Sequence, residues 1–149
     1  MNRRTPAVLV ILSLFLPLSP VWAEPLPSAP EQRPRVALQI SDHGSIRQTM
    51  VLSVANNLVN HYGLGNVDVE IVAFGPGLTM LQQNSQFTDR ITSLARDQGV
   101  RFSYCQITVD ATEARERQPM LLVSEASSTP SGAVRIVDLV NQGYVHIAP

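Results

Sequence analysis

The chain has 149 residues, 11 basic and 12 acidic, and a formal charge of −1, with no basic stripe along it, which excludes a general nucleic-acid binder. All 11 basic residues are arginine, so Schiff-base chemistry and lysine-based phosphate cradles are excluded too. A single cysteine, Cys105, cannot staple a fold by disulfides, and stability must come from a packed core.

In chain order, the first feature is a secretory signal. Arg3 and Arg4 form a short positive region. A run of about ten apolar residues follows, from Ala7 to Leu16, broken by Pro17 and Pro20, and Val21-Trp22-Ala23 offers small residues to a signal peptidase. The run is well short of the roughly 20 residues a membrane-spanning helix needs. Residues 1–23 are therefore expected to be removed, leaving a periplasmic chain with no membrane segment. Cleavage takes away two arginines and no acid, so the formal charge becomes −3. Residues 24–34, with Pro25, Pro27, Pro30 and Pro34, read as an extended flexible leader. The folded domain is expected over residues 35–149.

Val36 to Ile40 is a short apolar strand ending in the turn cluster Ser41-Asp42-His43-Gly44. Ile46, Met50, Val54, Leu58 and Tyr62 recur every four residues, flanked by Val51, Ala55 and Val59, and predict a helix that Ser45 caps and Gly63 ends. Asp68 to Ala73 is a second strand, broken by Gly75-Pro76-Gly77, with a helical turn over Leu78 to Gln82. Phe87, Ile91, Leu94 and Ala95 give a second helix face, ending near Gly99. Val100 to Tyr104 is a third strand with Cys105 at its carboxyl edge. Asp110 to Gln118 is charged and helix-permissive. Met120 to Val123 reads as a fourth strand and Ser127 to Pro130 as a loop. A last helix, starting at Pro130 or Ser131, is expected to turn Val134, Val137, Leu139 and Val140 inward. Tyr144 to Ile147 closes the series as a fifth strand.

Strands alternating with helices predict an α/β fold: a doubly wound, mainly parallel sheet of about five strands with helices on both faces, a flavodoxin-like three-layer sandwich. Such sheets bind ligands beyond the carboxyl ends of their strands. That rule groups Asp42, His43, Gly75, Pro76, Gly77, Cys105 and Thr108 along one rim. Cys105 is the candidate nucleophile, because a thiolate is strongly nucleophilic and its pKa falls near a helix N-terminus. A buried, purely structural cysteine is the alternative. Gly75, Pro76 and Gly77 could present backbone N–H groups, and Asp42 and His43 acid–base help. The three histidines share no metal-ligand spacing, and neither a metal nor a cofactor is expected.

Several segments resemble the DsrE/DsrF-like family. They are Ile40-Ser41-Asp42, Asn56-Asn57-Leu58 with Tyr62-Gly63, Val69 to Leu78, Gly99 to Phe102 leading into Cys105, Pro130-Ser131-Gly132, and Gln142 to Ile147 with the closing Pro149. Two and three positions after the cysteine the family often has Asn-Thr; here they are Ile107 and Thr108. The resemblance implies homo-oligomers, trimers or hexamers. It also implies a sulfur-relay role in which Cys105 carries a persulfide and exchanges it with a donor or acceptor protein. The competing expectation is a non-enzymatic binding module in which Cys105 only packs.

Overall fold

A computed structural model describes residues 33–149; the expected signal over residues 1–23 and nearly all of the 24–34 leader lie outside the described residues. The described chain runs β1 (Arg35–Ile40), α1 (Ser45–Tyr62), β2 (Asp68–Ala73), a 3-10 segment (Gly75–Leu81), α2 (Thr88–Arg96), β3 (Arg101–Cys105), α3 (Gln106–Glu116), β4 (Ala126–Thr129), α4 (Gly132–Asn141) and β5 (Val145–Ile147). All strand pairs are parallel, and the sheet order is β4-β3-β2-β1-β5.

This order follows from the crossover rule. The chain steps outward from β1 to β4 and then returns past β1 to β5. With right-handed crossovers, that reversal puts α4 on the opposite face from the other helices. Two cores result. The larger joins Leu38, Ile71 and Phe102 of the sheet to Val51, Leu52, Ile91, Leu94 and Val109 of α1, α2 and α3. The smaller joins Ala37 and Val72 to Ile136, Leu139 and Tyr144. The expected three-layer sandwich is thus present, with α4 alone forming its third layer.

Four local expectations are corrected. Met120 to Val123 is not a sheet strand. Leu122 makes an isolated antiparallel bridge to Gln82, and the Val123 N–H donates to the Leu81 carbonyl at 2.9 Å, so the segment closes the core beside the 3-10 segment. The fourth strand is Ala126–Thr129, inside what reads as a polar loop. It lies at the sheet edge, where half of its backbone and its polar side chains meet water.

The other three concern helix rotation and one helix cap. In α1 the buried stripe is Gln48, Val51, Leu52, Ala55 and Val59, while Ile46 and Met50 face solvent. Gln48 is buried because its amide donates to the Asp42 carbonyl at 3.2 Å and to Thr79 Oγ1 at 2.8 Å. Ser45 is the first helical residue and not a cap. Asp42 tightens the turn instead, its Oδ1 accepting the Gly44 N–H at 2.6 Å. In α4 the buried residues are Gly132, Ile136 and Leu139, and Val134, Val137 and Val140 point outward. The cause is a polar pair: Arg135 turns to the sheet to meet Glu70.

Candidate functional site: a thiol between two helix starts

Cys105 is the last residue of β3 and the N-cap of α3, so strand passes into helix without a loop. It pairs in register with Thr129 of β4, and Ser131 and Gly132 follow directly to open α4. Two helices therefore begin beside one sulfur. The N–H groups of Ile107 and Thr108 at the start of α3 and of Gly132 at the start of α4, with the Thr108 hydroxyl, are the groups that favour a charged sulfur here. The Ile107 N–H is shared with the Pro130 carbonyl, 3.4 Å away.

Thr108 is itself held. Its Oγ1 accepts the Gly75 N–H at 3.1 Å. Cys105 is only 6% exposed, and burial pushes a thiol pKa upward. The Thr108 hydroxyl and the three N–H groups outweigh this, and the thiol sits below its ordinary value. Both helix dipoles add to the same preference for negative charge.

Two glycines make the approach possible. At Gly132 a Cβ would lie 2.8 Å from the Phe74 side chain, so only glycine lets α4 start this close. At Gly77 a Cβ would lie 2.3 Å from the Ile40 carbonyl oxygen, so the turn after β2 can pass the end of β1 only without a side chain.

A cavity of about 530 Å³ opens beside this centre. His43, Gly75, Pro76, Thr79, Ile107, Thr108 and Arg115 are among its walls. Thr108 is the link, one helical turn after Cys105 on α3 and itself a wall of the cavity. Of the residues grouped on the rim, Gly75, Cys105 and Thr108 are in direct contact, and His43 and Pro76 line the adjoining cavity. Gly77 acts as a backbone crossing. Asp42 lies apart, its carboxylate occupied by its own turn, in a smaller hollow with Arg47 and Pro149. Among the described residues no group of three or more His, Cys, Asp or Glu is placed to hold a metal ion.

Sequence reasoning missed Gly132 as a partner of the thiol, and it missed Glu70. The one available signal was an acid inside the apolar run Val69-Glu70-Ile71-Val72.

The fold and this centre define a parallel α/β sandwich with one thiol set where two helices begin. The chain belongs to the DsrE/DsrF-like family, whose family model matches residues 35–149. Among solved structures it is similar to MTH1491 from Methanobacterium thermoautotrophicum, described as a protein of unknown function. The two are 28% identical with a TM-score of 0.69, over 78% of this chain and 99% of that one. No curated protein matches the chain.

Proposed function

We propose that this protein is an exported sulfur carrier in which Cys105 accepts and passes on a sulfane sulfur as a persulfide. One observation carries the reading: a single sulfur lies at the end of β3 where α3 begins, with the start of α4 three residues beyond its strand partner Thr129. In the reaction, the Cys105 thiolate attacks the outer sulfur of a donor persulfide, R–S–SH. A new S–S bond forms at Cys105, the donor S–S bond breaks, and R–S⁻ leaves and takes up a proton. The persulfide proton stays with the transferred sulfur, and no oxidant or reductant is consumed. Delivery to an acceptor thiol is the same exchange in reverse. A sulfur donor or acceptor protein is the partner this exchange calls for.

Treatment with a small persulfide donor should add about 32 mass units, one sulfur atom, to Cys105, and prior blocking of the thiol should prevent it. An unmodified thiol after such treatment would refute the role. A second reading, a binding module with an inert cysteine, draws support from the low exposure of Cys105. It predicts no adduct and only slow labelling by iodoacetamide.

Export and assembly belong to the same proposal. Cleavage after Ala23 yields a periplasmic protein that begins at Glu24 and lacks Trp22, the chain's only tryptophan. Its emission should then be tyrosine-like, and light scattering should give a homo-oligomer, a trimer first and a hexamer as the next size. The valines exposed on α4 support such packing. Periplasmic protein with tryptophan emission would refute cleavage, and a monomer at micromolar concentration would refute assembly.

A further inference from the structure

The two edges of the sheet differ. β4 ends it on one side with Ala126-Ser127-Ser128-Thr129, a polar strand that gives another chain little apolar surface to pair against. β5 ends it on the other with Val145-His146-Ile147, in which Val145 is 62% exposed. Among the described residues β5 pairs only with β1, so its outer backbone groups stand open. Val145 and Ile147 lie in register with Val36 and Leu38, whose side chains join the larger core on the α1 side. Register partners share a face of the sheet, so these two also point to the α1 side. Their exposure shows that the helix does not cover them.

The helices are apolar toward the same edge. In α1, Arg47, Met50, Val54 and Leu58 follow at steps of three and four and share one flank. Arg47 shows where that flank looks: its Nη1 donates to the Pro149 carbonyl at 3.1 Å, two residues past β5. The opposite flank meets α2 and its end, through Arg90 on Ser53 and Gln98 on Asn56. Met50 is exposed, and Val54 and Leu58 are only half-buried. In the other layer, Arg135 of α4 turns toward Glu70 of β2, beside Arg101 of β3. Val140 stands five residues on, about 140° around the helix, and so points the other way, toward β1 and β5. It too is exposed.

The side is large enough to hold a partner. α1 has 18 residues, about 27 Å, and three layers of roughly 10 Å each stand about 30 Å tall. Their product, about 800 Å², is what each partner gives to a stable interface of standard size. The strand is also its own complement. Turned about a two-fold axis through His146, β5 lies antiparallel to a second β5, with Val145 opposite the partner's Ile147 and Ile147 opposite the partner's Val145. Apolar then meets apolar on both sides of the axis, and the open backbone groups find partners. We propose that the β5 side is the contact between two copies of this chain, made strand to strand, joining two five-stranded sheets into one of ten. This rests on the assembly proposed above and says which faces meet. Such a contact closes after two copies, so a trimer built through another face becomes a hexamer.

Light scattering on the protein as purified should give an even number of copies, two or six. Val145→Glu sets a carboxylate against the partner's Ile147, at a position open enough in the single chain to leave the fold intact, and should halve that number. Far-UV circular dichroism of the same sample reports folding. His146→Cys tests the geometry independently, because directly opposed residues of an antiparallel pair have Cα atoms about 4.5–5.5 Å apart, within disulfide reach. With a mild added oxidant this variant should run as a covalent pair on a non-reducing gel, while wild type, with only the buried Cys105, should not. A wild-type trimer with no cross-link in His146→Cys overturns the β5 contact and leaves assembly standing. An even count that folded Val145→Glu does not change, with His146→Cys unlinked, overturns it as well. A monomer at micromolar concentration overturns both.

Discussion

On the carrier reading, Cys105→Ser should abolish sulfur uptake while the protein stays folded. Serine is close to cysteine in size and can replace it at this end of β3 without overpacking. An alcohol is not ionised near neutral pH, however, and cannot take the place of a thiolate as nucleophile. No other thiol exists in the chain to substitute for it. The variant should show no mass increment after treatment with a persulfide donor, and its thermal midpoint should move by only a few degrees. A cell carrying the variant in place of wild type should lose whatever sulfur transfer depends on this protein. Retention of full function in that cell would mean that Cys105 packs and does not react.

Gly77→Ala should be the most damaging single substitution in the fold. The added methyl would stand 2.3 Å from the Ile40 oxygen, 2.6 Å from its carbonyl carbon and 2.9 Å from the Ser41 nitrogen. All three are backbone atoms at the end of β1, a strand hydrogen-bonded on both sides. No side chain can swing away, so β1 or the 3-10 segment must shift. Overpacking of this kind typically costs about 1–3 kcal/mol, and a clash with backbone belongs at or beyond the top of that range. Domains of this class hold only about 5–15 kcal/mol in total. The thermal midpoint should fall by roughly 10 °C or more. The Gly75 N–H that fixes Thr108 lies two residues away, so thiol reactivity should fall too in whatever remains folded. An unchanged midpoint would show that the crossing has room the geometry does not reveal.

How far the sequence discloses this molecule depends on how local each cause is. β1 and β2 are legible because a strand covered on both faces is mostly apolar, and Val36 to Ile40 and Val69 to Ala73 show it with Gln39 and Glu70 as the exceptions. β4 is hidden because an edge strand escapes that demand; Ala126-Ser127-Ser128-Thr129 carries the composition of a loop. The helices themselves are legible, but their rotation is not. Counting apolar residues turns Val134, Val137 and Val140 of α4 inward, whereas Arg135 occupies the inner face through a bond to a residue 65 positions earlier. The same holds for Gln48 in α1, which is inside because Thr79 is there to receive it. At the site, Cys105 and Thr108 lie one helical turn apart and are readable together. Gly132 and Glu70 join them only because α4 returns across the sheet, which no local pattern announces.

The return of β5 to the far side of β1 also shapes how the chain reaches this state. The pairing of Val36 with Val145 closes a loop of 109 residues, whereas Val36 with Val69 closes one of 33. Loop closure of that length and an all-parallel sheet both slow folding, and three-residue β5 has little local structure to speed its arrival. β1 is therefore the last strand to find its second neighbour. Until then Val36, Ala37 and Leu38 present an open edge between two unfinished layers. A β5 from another chain fits that edge as well as the chain's own, so domain exchange is the misassembly to which this topology is most exposed.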